Sequence, residues 1–296
     1  MTTVREALGR ARALGVASLD AQLLLARVLA TTRTRLIADD DRTLAADESR
    51  LWDRWIERRL AGEPIAYLLG EKEFHGLMLE VSADVLVPRP ETELMVDWAS
   101  MLIESLGERG LSDSALRDNG ERAASAPRAR PIRVVDLGTG SGAIAVALKQ
   151  LRPHAVVTAT DVSAAALAVA RRNADRLSLA IEFVEASWWR GLEGRRFDVA
   201  VANPPYISAA DPHLAALRHE PILALTPGGD GLAALGEIVA AAASHLAPRG
   251  RLLLEHGFDQ GEAVRDLLAG AGFAEVETRR DLGGHERATG GRKVES

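Results

Sequence analysis

The chain has 296 residues, of which 47% are hydrophobic and 26% charged, so it is long enough for one large domain or two smaller ones with a buried core. Its net charge of −6 argues against a protein that coats nucleic acid or anionic membrane through bulk electrostatics. The absence of cysteine excludes disulfides, thiolate catalysis and cysteine-ligated metals. We find no signal-peptide pattern and no apolar run of membrane length, so we expect a cytoplasmic protein.

The first 60 residues have the apolar spacing of amphipathic helices. Apolar residues recur at three- and four-residue steps in 4–11, 19–28 and 51–60. Eleven arginines and nine acids share this region, so it offers no strongly basic surface. We predict a small N-terminal helical bundle over residues 1–73.

A different pattern follows the predicted bundle. Apolar residues alternate with polar or small ones from Phe74 onward and continue at Val85 and Val87, which predicts a β-hairpin connector over 74–90. Helical spacing resumes over 91–106. Residues 107–131 have almost no large apolar side chains and many turn formers, so we predict a mobile polar surface insertion or a linker there.

Short apolar strands and helices alternate after residue 131. The predicted strands are 132–136, 155–160, 181–184, 197–202, 251–255 and 274–278. This alternation predicts an α/β domain over 91–296, in which helices cover both faces of a mainly parallel sheet. Ligands of such sheets bind at the carboxyl ends of the strands, so the loops at those ends form the candidate site.

The first of these loops is rich in glycine and has the sequence Asp136-Leu137-Gly138-Thr139-Gly140-Ser141-Gly142. Glycines let the backbone turn tightly and pass close to a ligand, while the following helix offers free N–H groups. The spacing differs from the dinucleotide-binding fingerprint. The acid before the glycines suits a ligand with a cationic ammonium group, such as the amino-acid part of S-adenosylmethionine. A tight turn without a ligand is the alternative.

The next two loops carry an acid and an indole. Asp161 ends the second strand, and its carboxylate can accept hydrogen bonds from both hydroxyls of a ribose. The alternative is an ordinary helix cap. Trp188 follows the third strand, where an indole can stack on a purine, and we interpret its neighbour Trp189 as core packing.

The fourth loop has the sequence Asn203-Pro204-Pro205-Tyr206. Two prolines fix the backbone, so that a carbonyl and the Asn203 side chain can face one small polar group. An amide or aromatic amine nitrogen is a poor nucleophile because its lone pair is conjugated. Accepting hydrogen bonds from its N–H groups would orient it toward a methyl donor and stabilise the charge that develops there. Tyr206 can pack on the planar group; a chance turn is the alternative.

Several segments together resemble one enzyme family. The chain resembles class I methyltransferases of exocyclic or amide nitrogen in VVDLGTGSGAIAVAL, DVSAAALAVARRNA and VANPPYI. It resembles one branch closely, the PrmC/HemK release factor glutamine methyltransferases, in LAGEPIAYLLGEKEF, VLVPRPETELMV and LRHEPILALTPGGDGL. The resemblance extends over about residues 5–293, and the chain departs from the family pattern in the polar insertion and at 288–291.

The resemblance implies a Rossmann-like, seven-stranded methyltransferase domain after the helical bundle, and the bundle is implied to bind the release factor. It implies methyl transfer from S-adenosylmethionine to the side-chain amide nitrogen of the glutamine in the Gly-Gly-Gln loop of peptide chain release factors. The matching cofactor positions are Gly138, Thr139, Gly140, Ser141, Gly142, Asp161, Trp188 and Asn203. The glutamine pocket matches Asn203, Pro204, Pro205 and Tyr206, of which Asn203, Pro204 and Tyr206 are the candidate catalytic residues.

Two other functions use similar motifs. A DNA or RNA adenine amino-methyltransferase would use Asn-Pro-Pro-Tyr by the same physics. Residues 61–296 carry a net charge of −8, so we do not expect direct nucleic-acid binding. A non-catalytic S-adenosylmethionine-binding protein would be expected to lack the asparagine or the glycines, and both are present. No two histidines have metal-ligand spacing on a helix, so we expect no metal.

Overall fold

The computed structural model describes residues 2–116 and 130–294, with side chains outside 109–116. Its N-terminal part is a bundle of five helices packed around Leu24, Leu25 and Trp52. The helices are α1 (Val4–Ala13), α2 (Ser18–Val28), α3 (Arg33–Ala38), α4 (Ala46–Leu60) and α5 (Ile65–Leu69). The first helix begins where Thr3 and Glu6 cap each other's backbone N–H groups.

A two-stranded antiparallel hairpin follows, formed by β1 (Glu71–Phe74) and β2 (Leu77–Glu80). The prediction of strands across 74–90 is therefore wrong in its limits. The turn lies at His75 and Gly76, which both have positive φ, as a tight two-residue hairpin turn requires. Beyond the hairpin, the alternating valines lie on a segment without strand pairing, and they are buried against helix residues Ala166 and Val169.

The next helix is longer than its sequence pattern predicts. A 3₁₀ turn (Pro90–Thr92) leads into α6 (Glu93–Leu116), although we expected the helix to end near 106. Loss of apolar residues removes a reason to pack but does not end a helix, and 107–116 contain no proline. The remainder of the predicted insertion, 117–129, lies outside the described residues.

The C-terminal part contains a seven-stranded sheet with the order β5-β4-β3-β6-β7-β9-β8. Its strands are β3 (Arg133–Leu137), β4 (Val156–Asp161), β5 (Glu182–Glu185), β6 (Phe197–Ala202), β7 (Leu246–Glu255), β8 (Phe273–Arg280) and β9 (Glu286–Lys293). The first five are parallel, and β9 pairs antiparallel with both β7 and β8. The predicted mainly parallel α/β fold is confirmed. The departure at 288–291 lies inside β9.

Helices cover both faces of this sheet. The remaining helices are α7 (Ala143–Leu151), α8 (Ala164–Arg176), α9 (Ile222–Leu225), α10 (Ala233–His245) and α11 (Gly261–Gly270). One apolar core includes α6 and α7 residues, and the other includes residues of α10 and α11. Within the described ranges, no helix is long and apolar enough to cross a membrane.

The strand order reverses at β3, because β4 pairs on one side of it and β6 on the other. Such a reversal opens a crevice at the carboxyl ends of the strands. In the register, Leu137 pairs with both Thr160 and Ala202, so the residues that follow these three lie side by side. They are Gly138, Asp161 and Asn203, which come from three of the four predicted loops.

Candidate active site

A cavity of about 680 Å³ opens at this reversal point. Residues 84–92 and 221–227 supply much of its remaining wall. The predicted site residues that line it are Gly138, Thr139, Gly140, Ser141, Asp161, Trp188, Asn203 and Pro205. Three do not line it: Gly142 is the N-cap of α7, Pro204 is buried, and Tyr206 turns away from the cavity. The structure thus brings residues of all four predicted loops to one cavity.

The glycine loop is held from behind by Asp136. One carboxylate oxygen accepts hydrogen bonds from the Thr139 hydroxyl at 2.6 Å and the Ala145 backbone N–H at 3.2 Å. The side chain is 1% exposed and does not line the cavity. The other oxygen, Oδ1, is buried without a hydrogen-bond partner, so our interpretation that this acid faces a cationic ligand group stays a prediction.

Burial raises the pKa of Asp136 to about 7, against the hydrogen bonds from Thr139 and Ala145, which lower it. An unfolded aspartate loses its proton near pH 4, so folding keeps a proton on this group between about pH 4 and 7. The stability that this proton contributes is lost as pH rises through about 7. Burial also raises the pKa of the buried Glu255 to about 7, so its contribution to stability changes with pH in the same direction.

Asp136→Asn should therefore flatten the pH dependence of stability. We expect the free energy of unfolding of the wild type to fall as the pH rises from 5 to 8. In the variant, this fall should be smaller by an amount on the order of 2 kcal/mol. Asparagine keeps an oxygen for Thr139 and Ala145, so the loop can remain intact. Urea titrations at several pH values, without added ligand, measure the slope; an unchanged slope would contradict the assignment.

Asp161 links two loops at the cavity wall. One carboxylate oxygen accepts from the Gly140 backbone N–H and the other from the Ser163 backbone N–H, both at 2.9 Å. Burial raises its pKa, and these backbone hydrogen bonds oppose the shift. Each oxygen keeps a second acceptor direction. The helix after it is capped by the Ser163 side chain, which makes an ordinary capping role for Asp161 unnecessary.

The two adjacent indoles have different environments. Trp188 lines the cavity with a φ of +52°, a left-handed backbone that bulky residues rarely adopt. Its ring lies so close to Gly138 that a β-carbon there would approach it to 3.0 Å, so this position requires glycine. Trp189 is buried, donates from Nε1 to the Ile238 carbonyl at 2.9 Å and stacks on a histidine. These contacts agree with its interpretation as core packing.

The Asn203 amide is oriented by a hydroxyl. Its Nδ2 donates to Thr92 Oγ1 at 3.2 Å, which leaves Oδ1 free to accept hydrogen bonds. The Tyr206 hydroxyl donates to Glu255 Oε1 at 3.2 Å, and Gln260 Nε2 donates to the Tyr206 carbonyl at 3.0 Å. Tyr206 thus supports the motif from behind in this structure, instead of presenting its ring to the cavity as we predicted.

Further residues of the site escaped the sequence reasoning. Arg89 lines the cavity and forms an ion pair of 2.5 Å with the buried Glu220, which also accepts from the Val87 backbone N–H at 3.0 Å. This pair ties the segment before α6 to the loop before α9, and both segments border the cavity. Only the resemblance of both segments to one family pointed to this region. The resemblance places residues 88–93, which include Thr92, over the cofactor without assigning them a catalytic role, and Glu255 carried no recognised signal.

Comparison with known proteins agrees with this geometry. Residues 3–70 match the PrmC N-terminal domain, and residues 124–260 match the methyltransferase small domain. A release factor glutamine methyltransferase of Burkholderia pseudomallei is 48% identical over 290 residues, which cover 95% of this chain and 94% of that protein. The release factor glutamine methyltransferase of Bordetella pertussis is 45% identical over 280 residues, which cover 94% of this chain and 95% of that protein. The chain belongs to the release factor glutamine methyltransferase family.

A solved structure supports the fold independently of these relatives. A methyltransferase from Pyrococcus furiosus matches with a TM-score of 0.52 at 18% identity, and the match covers 82% of this chain and 100% of that one. At this level of identity, the likeness concerns the fold.

Methyltransferases of this family use S-adenosylmethionine as cofactor. This cofactor fits the cavity. Asp161 offers acceptors for ribose hydroxyls, the Trp188 indole offers a surface for adenine, and the glycine loop brings the start of α7 to the wall. Among the residues with described side chains, no cluster of three histidine or acidic side chains has the arrangement of a metal site.

Asp161→Ala should weaken S-adenosylmethionine binding by about 1–3 kcal/mol. It removes charge-assisted hydrogen bonds to the ligand and the hydrogen bond that the Gly140 backbone N–H donates to this carboxylate. Glu185→Ala, at the exposed end of the neighbouring strand β5, is a control that should bind normally. Calorimetry measures both affinities. Wild-type affinity in the Asp161 variant would contradict the ribose role.

Proposed function

We propose that this protein transfers a methyl group from S-adenosylmethionine to the side-chain amide nitrogen of the glutamine in the Gly-Gly-Gln motif of peptide chain release factors. The observation that carries this proposal is the Asn203 amide, oriented by Thr92 beside Pro205 at the wall of the cavity that fits the cofactor. The relatives named release factor glutamine methyltransferase, at 45–48% identity over nearly the whole chain, support the same substrate.

The cofactor supplies an electrophilic methyl group on a sulfonium. The protein must then present the glutamine nitrogen in line with it, because the nitrogen lone pair is conjugated with the carbonyl. Asn203 Oδ1 can accept one N–H of the glutamine amide, and the rigid backbone of Pro204 and Pro205 shapes the pocket. As the nitrogen gains positive charge, the hydrogen bond to Oδ1 strengthens, which stabilises the transition state. The proton can leave after methyl transfer, so this step requires no protein base.

The same proposal includes the domain division and the partner. With the boundary moved to the start of β1, we assign residues 1–70 to a release-factor-binding bundle, 71–90 to the connector and 91–296 to the methyltransferase domain. In support, His219 Nε2 lies 3.0 Å from the Ala61 carbonyl, and Arg218 donates to the same oxygen, so the bundle contacts the loop that borders the cavity. We place the reaction in the cytoplasm, where release factors act, without a metal and without direct nucleic-acid contact.

A competition assay tests the substrate class. The protein is incubated with S-adenosylmethionine carrying a labelled methyl group, together with purified release factor, duplex DNA and single-stranded RNA. We expect label in the protein fraction alone, and a release factor with Gly-Gly-Ala in place of Gly-Gly-Gln should remain unlabelled. Label in either nucleic acid would favour the adenine methyltransferase, and no label in any fraction would favour a binding protein without catalysis.

A further inference from the structure

A buried acid lies directly behind the proposed glutamine pocket. Glu255 is the last residue of β7 and is 1% exposed. Because Ala202 pairs with Leu254 in the parallel register, Glu255 follows its strand beside Asn203. Among the ion pairs of the described residues, none includes Glu255. A carboxyl group buried without an ion pair costs stability, so its presence here calls for a role in the site.

The contacts of Glu255 lead to both polar side chains of the Asn-Pro-Pro-Tyr motif. Its Oε1 accepts from the Tyr206 hydroxyl at 3.2 Å, while Oε2 is buried without a hydrogen-bond partner. Of the neighbouring side chains, the Thr92 hydroxyl does most to lower the pKa of the carboxyl group. The same Thr92 oxygen accepts from Asn203 Nδ2. Thr92 therefore stands between Glu255 and Asn203.

The charges around Glu255 oppose each other. Burial raises its pKa to about 7, whereas the hydroxyls of Thr92 and Tyr206 and the charge of Arg287 favour the charged form. The Glu91 carboxylate disfavours it. Thr92 and Glu91 lie on the turn before α6, Tyr206 lies on the motif loop, and Arg287 lies on β9. Near neutral pH, Glu255 is thus able to change between a neutral and a charged form.

We propose that charged Glu255 is a positioning residue that sets the orientation of the Asn203 amide through Thr92. A threonine hydroxyl has one hydrogen, and if the carboxylate accepts it, only lone pairs remain for Asn203. Only the Asn203 NH₂ group can then face Thr92, so Oδ1 is held toward the cavity. This inference rests on the proposed function, in which Oδ1 accepts from the glutamine amide.

Protonation of Glu255 removes this control. A neutral carboxyl group can donate to Thr92, which frees the threonine hydrogen to donate to Asn203 Oδ1. The amide can then turn by half a rotation and present NH₂ to the cavity, where it repels the N–H groups of the substrate. We therefore expect kcat to rise with pH through about 7, whereas binding of the cofactor changes little.

Two variants and a double variant test the proposal on release factor as substrate. Glu255→Gln has one acceptor oxygen for two hydroxyls, and Thr92→Val has no hydroxyl. Each should lower kcat about tenfold or more, leave KM for S-adenosylmethionine within about twofold and lose the rise of kcat near pH 7. The double variant should be no slower than the slower single variant, because both act through one path. Thr92→Ser should restore most of the rate.

Glu275→Gln is the matched control. This exposed acid on β8 pairs with Arg251 and Arg292, away from the cavity. It should keep the wild-type kcat and pH profile. If Glu255→Gln does not fold, Thr92→Val carries the same test, since valine has the size and shape of threonine. Wild-type kcat and pH profile in the folded Glu255 or Thr92 variant would overturn the proposal.

A second readout does not depend on the reaction. The side-chain ¹⁵N resonance of Asn203, assigned by its loss in Asn203→Ala, can be followed with pH in the presence of S-adenosylhomocysteine. We expect it to titrate near neutral pH in the wild type and in Glu275→Gln, but not in Glu255→Gln. A resonance that does not titrate in the wild type would overturn the positioning role. A titrating resonance in a protein that methylates no release factor would instead contradict the proposed function alone.

Discussion

Replacement of Asn203 by alanine is expected to lower the rate of release-factor methylation by about 10²–10³, while the protein remains folded. The side chain makes one hydrogen bond of its own, to Thr92 at 3.2 Å, so its removal costs little stability. The rate depends on it more strongly, because its Oδ1 is the group that would orient the glutamine nitrogen and stabilise the charge on it.

The measurement for Asn203→Ala must separate chemistry from cofactor binding, since Asn203 also lines the cavity that fits the cofactor. Single-turnover methyl transfer at saturating S-adenosylmethionine isolates the chemical step, and calorimetry measures cofactor affinity independently. Asn173→Ala is a poor control because its amide joins β2 to the glycine loop. Ser244→Ala, on the exposed end of α10, is a suitable one. A loss below about threefold in the Asn203 variant would contradict the orienting role.

Replacement of Gly231 by alanine should destabilise the protein by about 2–5 kcal/mol and strongly reduce methylation. Gly231 has a φ of +87°, where an L side chain is strained by about 1–2 kcal/mol. A β-carbon there would also lie 2.2 Å from the Tyr206 carbonyl oxygen, so the backbone of the motif must move. Overpacking of this kind costs a further ~1–3 kcal/mol.

Gly228 provides the matched control for this steric effect. It has a φ of +86°, nearly the same as Gly231, but a β-carbon there would meet nothing within 4 Å. Gly228→Ala should therefore show the conformational strain alone. The difference between the two variants in the free energy of unfolding, from urea titrations, measures the contact with Tyr206. Equal losses in both variants would contradict this contact.

The loops of the candidate site were predictable because they follow strands of one parallel sheet. Asp161 and Asn203 come 42 positions apart in the chain, yet each directly follows or ends an apolar strand, and carboxyl ends of parallel strands meet at one edge. The glycine loop adds a turn that few other arrangements require. Sequence spacing thus sufficed to bring these residues to one cavity.

The side-chain directions at this edge were not predictable in the same way. Asp136 and Asp161 both lie at or near the end of a strand, but one faces its own loop and the other the cavity wall. Tyr206 turns toward Glu255, which is 49 positions later in the chain, and Asn203 is oriented by Thr92, which is 111 positions earlier. Such contacts depend on the packing of distant segments, which no local pattern describes.

Errors in element limits have a similar cause. The valines after the hairpin alternate because the extended chain buries every second side chain against α8, and the sequence cannot distinguish this from strand pairing. In α6, helical propensity continues after the apolar contacts end, so apolar spacing underestimates the length of the helix.

Mass spectrometry of a release factor tests the central claim most directly. The factor is incubated with the protein and S-adenosylmethionine carrying a deuterated methyl group, then digested and fragmented. We predict one labelled methyl group, located on the side-chain amide of the glutamine in Gly-Gly-Gln, and its loss with the Asn203→Ala variant. An unmodified glutamine after incubation with the folded, cofactor-binding protein, or a methyl group on another residue, would contradict the account.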